Sequence, residues 1–220
     1  MKSIIFSLLL FVFILPSANA VPIVLDFEGA GDTAALLDFY NGGTDSLGNV
    51  GTNYGIGFGA NALSLVDLDA GGSGNFANEP TPNTVMFFLT GSAVLNYSPG
   101  FDTGFSFYYS SSTVANVNVY DGLDMTGNLL GSIALNAQGF DNCVGDPFGD
   151  FCNWSVGSLA FVGIAKSIDF GGTVNQSGYD DITFGSVTPG APELVSAPAT
   201  LVLMGIGFLG MGYMRRKNIA

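Results

Sequence analysis

The chain alternates apolar and polar residues over short stretches, each broken by glycine, asparagine, aspartate or proline. The clearest stretch is Thr103–Tyr109, where Phe105, Phe107 and Tyr109 fall on one face and Ser106 and Tyr108 on the other. A two-residue period of this kind predicts a half-buried strand. Val117 and Val119 repeat it within Ala115–Tyr120, and Leu129, Ile133 and Leu135 share one face of the next strand, with Gly131 between them. Further strands are predicted over Ile23–Phe27, Ala62–Val66, Thr84–Leu89, Ala93–Tyr97, Ser158–Gly163, Lys166–Phe170 and Asp181–Phe184. Ala34–Phe39 fits either a short helix or a strand. Gly42–Gly59 is the most irregular stretch, and Gly71–Pro82 reads as a long polar loop. Turn signals such as Asn41-Gly42-Gly43, Pro99-Gly100 and Asp121-Gly122 separate the strands. About ten to twelve strands at this spacing predict an all-β fold, a single β-sandwich domain that is jelly-roll-like rather than immunoglobulin-like.

The two ends depart from this pattern. Lys2, the apolar run Ile4–Leu15, Pro16 and Ala18-Asn19-Ala20 make a secretory signal peptide with cleavage expected after Ala20. At the other end no charge occurs from Val195 to Met214. As a helix that run spans roughly 30 Å, about the hydrocarbon thickness of a bilayer. Arg215, Arg216 and Lys217 follow it directly and would stay cytoplasmic. The expected organisation is a signal peptide over 1–20, a sandwich over 21–185, a linker over 186–195 and a tail over 196–220. The tail holds a transmembrane helix over 199–214 and a basic end over 215–217.

Within that tail, Val195-Ser196-Ala197-Pro198-Ala199-Thr200-Leu201 precedes a glycine-rich apolar run, Gly205 to Gly212, and then Arg215-Arg216. The order resembles the PEP-CTERM sorting signal of Gram-negative bacteria, a short proline motif followed by one apolar helix and an arginine cluster. Pro198, Ala199, Thr200 and Leu201 match the family motif, whereas Ser196-Ala197 stands where the family has Pro-Glu. The resemblance implies recognition by an exosortase, a membrane cysteine peptidase, with cutting near Ser196–Pro198. It does not imply that the chain is itself an enzyme.

Charge is rare and lopsided. Only Lys166 lies between residues 21 and 195, against all 18 acids, which leaves that span at −17. Nucleic acid would be repelled by such a surface, and divalent cations would be drawn to it. Val24–Glu28 and Tyr179–Phe184 resemble the first and last strands of calcium-bearing jelly rolls, where neighbouring acids hold a structural ion. That resemblance implies a calcium site shared by Asp26, Glu28 and Asp181, with Phe27, Ile182 and Phe184 turned to the core. Val117–Leu135 likewise resembles a pattern of carbohydrate-binding jelly rolls, an analogy of fold alone.

Cys143 and Cys152 are the only cysteines and bracket a short glycine- and proline-containing loop. In an exported chain they are expected to pair. The sequence has no histidine, which excludes Ser-His-Asp and Cys-His catalysis and histidine-ligated metals. Paired carboxylates remain as catalytic candidates, yet no acid stands in a motif that marks it as a proton donor. Trp154, the single tryptophan, would be a sugar platform or loop packing. The expected function is a non-catalytic exported protein of the envelope or extracellular matrix. It would be served by the Sec translocon, signal peptidase and exosortase, with a carbohydrate-binding module acting on polysaccharide as the alternative.

Overall fold

Eleven short strands make up the regular structure of the residues described by the computed structural model, 22–141, 143 and 149–190. They are β1 Ile23–Leu25, β2 Ile56–Phe58, β3 Leu63–Val66, β4 Thr84–Phe87, β5 Ala93–Phe101 and β6 Gly104–Ser111. The rest are β7 Ala115–Tyr120, β8 Leu129–Leu135, β9 Ser155–Ala160, β10 Ala165–Phe170 and β11 Ser177–Phe184. The signal peptide, the sorting tail with Ser196 to Leu201, Arg215 and Arg216, and the end of the linker lie outside the described residues.

All strand pairs are antiparallel and form two sheets, β3-β4-β11-β6-β9 with β1 also on β11, and β2-β5-β10-β7-β8. The period-two stretches account for this directly. Phe105, Phe107 and Tyr109 are buried along β6, and Val117 and Val119 along β7, all in one core between the sheets. Each fully buried phenylalanine there contributes roughly 1.5–3 kcal/mol of transfer free energy. Phe107 meets Phe170 and Tyr179 edge to face, with centroids 5.5 and 5.8 Å apart.

Three expectations need correction in detail. Ile56–Phe58 is a strand inside the stretch read as irregular, paired to Tyr97–Leu95 of β5. Its three residues are too few to show a period. Ala34–Phe39 is neither helix nor strand but a run of turns with one bridge, Ala35 to Leu63. The loop around it is organised by Asp45, a buried carboxylate that accepts from the backbone N–H groups of Gly31, Leu47 and Asn49 and from the Asn49 amide, at 2.8–2.9 Å. Burial pushes this carboxyl up, but those hydrogen bonds outweigh it and hold the group below its usual value. Finally, β11 starts at Ser177, so Asp180 and Asp181 sit in mid-strand and do not open it.

One feature of the larger sheet positions its acidic residues. β4 and β1 lie end to end along the same flank of β11: Tyr179 pairs with Met86, while Ile182 pairs with Leu25. β6 occupies the other flank, and its register slips between Asp180 and Thr183. The bulge thus falls at the seam where β4 stops and β1 begins.

The outer face of this sheet is also covered. Met86 belongs to the central core, so its neighbours Val85 and Phe87 point the other way, yet both are buried. A second, smaller apolar cluster of Phe76, Phe151 and Trp154 lies over them.

Candidate functional site

The bulge carries Asp180, whose carboxyl is raised furthest among the described residues, and beside it Asp181. Asp180 is wholly buried. It accepts the Thr81 N–H at 3.0 Å and the Thr81 hydroxyl at 2.9 Å, which ties the residues before β4 into β11. Burial raises its carboxyl to about 8, and the neighbouring Asp181 adds to the rise. Asp181 has a left-handed backbone, φ 49°, a conformation that non-glycine residues adopt rarely and mainly where the surrounding structure enforces it. It is only 6% exposed, and its Oδ1 is buried without a hydrogen-bond partner. Burial and then the charge of Asp26 lift its carboxyl to about 6.

Asp26 comes from the end of β1. One step past the Leu25–Ile182 pair, the ladder brings it opposite Asp181. Phe27 turns left-handed there, at φ 60°, and ends the strand. The Asp26 carboxylate accepts the Tyr40 hydroxyl at 3.2 Å and the Glu28 N–H at 3.3 Å, and Tyr40 in turn accepts the Phe27 N–H at 2.7 Å. Glu28 leans toward β4, where it accepts the Thr84 N–H at 2.9 Å. Burial raises its carboxyl to about 7, with Asp26 and Glu79 contributing. The three acids named from the sequence therefore share one region, with Asp26 acting electrostatically on both others. Phe27, Ile182 and Phe184 are buried in the core, as the strand alternation requires.

Asp26, Glu28 and Asp181 do not meet at a point. Among the described residues no three acidic or cysteine side chains converge as a metal-binding group. What fits a hard cation is the donor chemistry. All available ligands are oxygens, and one of them, Asp181 Oδ1, is buried and unpaired. The only lysine of the domain, Lys166, lies on β10 in the other sheet.

Sequence reasoning missed Asp180, Thr81 and Glu79, because nothing in the spacing joins residues 79–81 to 180. The acids of the neighbouring loop, Asp67 and Asp69, start like an EF-hand loop in sequence but lack its later ligands, with Asn78 in place of the closing Glu, and read as a plain Asp/Gly turn. Asp67 is buried and accepts the Leu68 N–H, and burial lifts its carboxyl to about 6. With Asp69, Glu79 and Asn78 it lines an open pocket of about 350 Å³.

The disulfide expectation holds: Cys143 and Cys152 are bonded, with Cα atoms 5.3 Å apart. The bridge fixes the segment that pairs with residues 75–78. Phe151 bridges Phe76, the Ala77 N–H donates to Phe151 O at 3.0 Å, and the Asn78 amide donates to Cys152 O at 3.3 Å. Trp154 belongs to this fastening. Its indole N–H donates to Ala77 O at 3.0 Å, and its ring meets Phe76 edge to face at 6.4 Å. The pocket beside it holds about 30 Å³, space for a water or two, and no sugar ring enters it.

No protein-family model and no curated protein matches the chain. Among solved structures it is similar to a family 6 carbohydrate-binding module, with TM-score 0.35 and 16% identity, over 49% of this chain and 77% of that one. It is also similar to a glycoside hydrolase family 43 arabinoxylan arabinofuranohydrolase from Bacillus subtilis, with TM-score 0.37 and 16% identity, over 57% of this chain and 24% of that one. A third is the K3 cleaved adhesin domain of Lys-gingipain from Porphyromonas gingivalis, with TM-score 0.32 and 14% identity, over 76% of this chain and 92% of that one. At these identities and scores the likenesses carry no functional statement.

Proposed function

We propose that this chain is a non-catalytic jelly-roll protein of the bacterial envelope or extracellular matrix, exported through Sec and sorted by its C-terminal tail. In this reading signal peptidase cuts after Ala20, the apolar helix holds the tail in the membrane, and an exosortase cuts near Ser196–Pro198. The observation that carries export is the Cys143–Cys152 bridge, because disulfides form and persist in oxidising compartments. Two things support a non-catalytic role. Histidine is absent, and the carboxyl raised furthest, Asp180, is spent on Thr81 inside a strand seam.

A structural calcium ion at the seam belongs to the same proposal. Asp181 and Asp26 would hold it, with Glu28 and backbone carbonyls completing an oxygen shell. The ion would neutralise carboxylates that otherwise repel one another at the joint of β1, β4 and β11. The second reading, a polysaccharide-binding module in the same matrix, is favoured by a solvent-open pocket with a mixed lining beside the disulfide loop.

Intact-mass analysis of the protein from its native host tests the main reading. The expected mass starts at Val21, ends near residue 197 and lacks two hydrogens for the bridge. A water-soluble product that keeps Arg215 and Arg216 overturns it.

A further inference from the structure

From the turn at residues 138–141 we infer a binding site for one neutral hexose unit of a polysaccharide, with Phe140 as its platform. This rests on the polysaccharide reading above and gives it a place other than Trp154. Phe140 is 54% exposed, although a large apolar ring in a stable domain is ordinarily covered. It lines a pocket of about 140 Å³ together with Ser112, Ala137, Gln138, Gly139 and Asp141. That is room for roughly ten water-sized groups, close to the heavy-atom content of a hexose. The pocket beside Trp154 is too small for a ring, and the one among Asp67, Asp69 and Glu79 has no aromatic side chain.

The chemistry of the lining is two-sided in the same way as a pyranose. One face of the sugar presents C–H groups, which suit an aromatic ring, while its edge presents hydroxyls, which suit a carboxylate and a hydroxyl such as Asp141 and Ser112. The turn is held before any ligand arrives. The Asp141 N–H closes it onto Gln138 O at 2.9 Å, and the Gln138 and Gly139 N–H groups donate to Ser111 O at 2.8 and 2.7 Å. The Gln138 amide donates to Tyr109 O and Asn153 O, and its carbonyl accepts the Ser111 N–H. Cys152 and Asn153 donate to Gly139 O, which fastens the turn to the disulfide segment. Phe151 packs against Phe140 with centroids 4.9 Å apart and sets its tilt. A platform fixed in this way loses little entropy on binding. The ligand is neutral because the span that carries the site has a charge of −17 and would repel an anionic polymer.

The test is affinity electrophoresis of the full chain in detergent, in native gels containing xylan, a β-glucan or galactomannan, with polygalacturonate as the anionic control. At least one neutral polymer should retard the chain and polygalacturonate should not. Phe140→Ala should weaken that retardation about tenfold with only a small drop in melting temperature from the lost Phe151 contact, Phe140→Trp should retain it, and Asp141→Ala should weaken it several-fold. Wild-type retardation that persists in Phe140→Ala removes the site and leaves the polysaccharide reading standing. Retardation by none of the neutral polymers, or by polygalacturonate alone, overturns both.

Discussion

Asp26 lies opposite Asp181 one step past Leu25–Ile182, the pair that ends the β1–β11 ladder, and each carries a carboxylate into a seam without a lysine or arginine. Burial and mutual repulsion of these carboxylates put an electrostatic cost at this joint that ordinary strand pairing on either side does not carry.

That cost makes stability depend on pH in a defined direction. Glu28, Asp180 and Asp181 titrate near about 7, 8 and 6 in the folded chain, all above their ordinary values of 4.5 and 3.8. A raised carboxyl favours the folded state below its unfolded value, and this contribution is lost as pH rises through the folded value. In chelator, the melting temperature should therefore fall as pH rises from about 4 to about 8, with Asp181 contributing up to about pH 6, Glu28 to about pH 7 and Asp180 to about pH 8. Calcium at about a hundred times its dissociation constant should restore roughly 2.7 kcal/mol at pH 8. Thermal melts with and without calcium decide it; a calcium-independent profile at pH 8 removes the ion from the proposal.

Asp181→Asn removes the charge but keeps the shape. In chelator at pH 8 it should melt higher than wild type, because a neutral amide no longer opposes Asp26. With calcium the order should reverse. Differential scanning calorimetry under both conditions reads the crossing, and an Asn variant that is less stable in both contradicts the electrostatic account.

Reduction of the Cys143–Cys152 bridge should cost about 2.7 kcal/mol in the chain-entropy view of a ten-residue loop. Urea unfolding of the oxidised protein against a Cys143→Ser, Cys152→Ser double variant measures it. Because the bridge also fixes residues 75–78, the variant should lose order there as well, visible as faster amide exchange at Ala77.

Trp154 reports on the same fastening. As the single tryptophan, its emission should be blue-shifted in the oxidised protein and move red on reduction. Trp154→Phe leaves Ala77 O without its donor and should destabilise by about 1 kcal/mol or somewhat more. Emission indifferent to reduction would mean that the ring does not depend on the loop.

Gly157 pairs with Phe107 across β9 and β6, and a Cβ there would sit 2.5 Å from the Phe107 ring. Gly157→Ala should therefore cost roughly 1–3 kcal/mol through displacement of the ring. A circular-dichroism melt within a degree of wild type contradicts that packing.

The legible part of the fold was the part with a long period. β6 and β7 could be read from alternation because six or more residues show both faces. In β8 a register shift leaves Leu129 exposed and packs Leu130 against the core with Ile133 and Leu135, so the face named as Leu129, Ile133 and Leu135 holds only in part. β2 could not be read this way, since Ile56-Gly57-Phe58 is three residues in a glycine-rich stretch, and turns there depend on Asp45, whose partners lie 14 residues before it and up to four after. The candidate site was half legible. Asp26, Glu28 and Asp181 were named as one group from a resemblance, but Asp180 and Thr81 meet across 99 positions of chain, and no local pattern carries such a pairing. Burial of Asp181 was unexpected for a similar reason: it depends on a bulge, and bulges leave no mark on polar periodicity.

β11 ends the described sheet in sequence yet lies at its middle, with β1 and β4 on one flank and β6 on the other. Synthesis delivers this keystone after every strand it joins: among the described residues, until 177–184 are available β1 has no partner strand and β4 and β6 have nothing to join them.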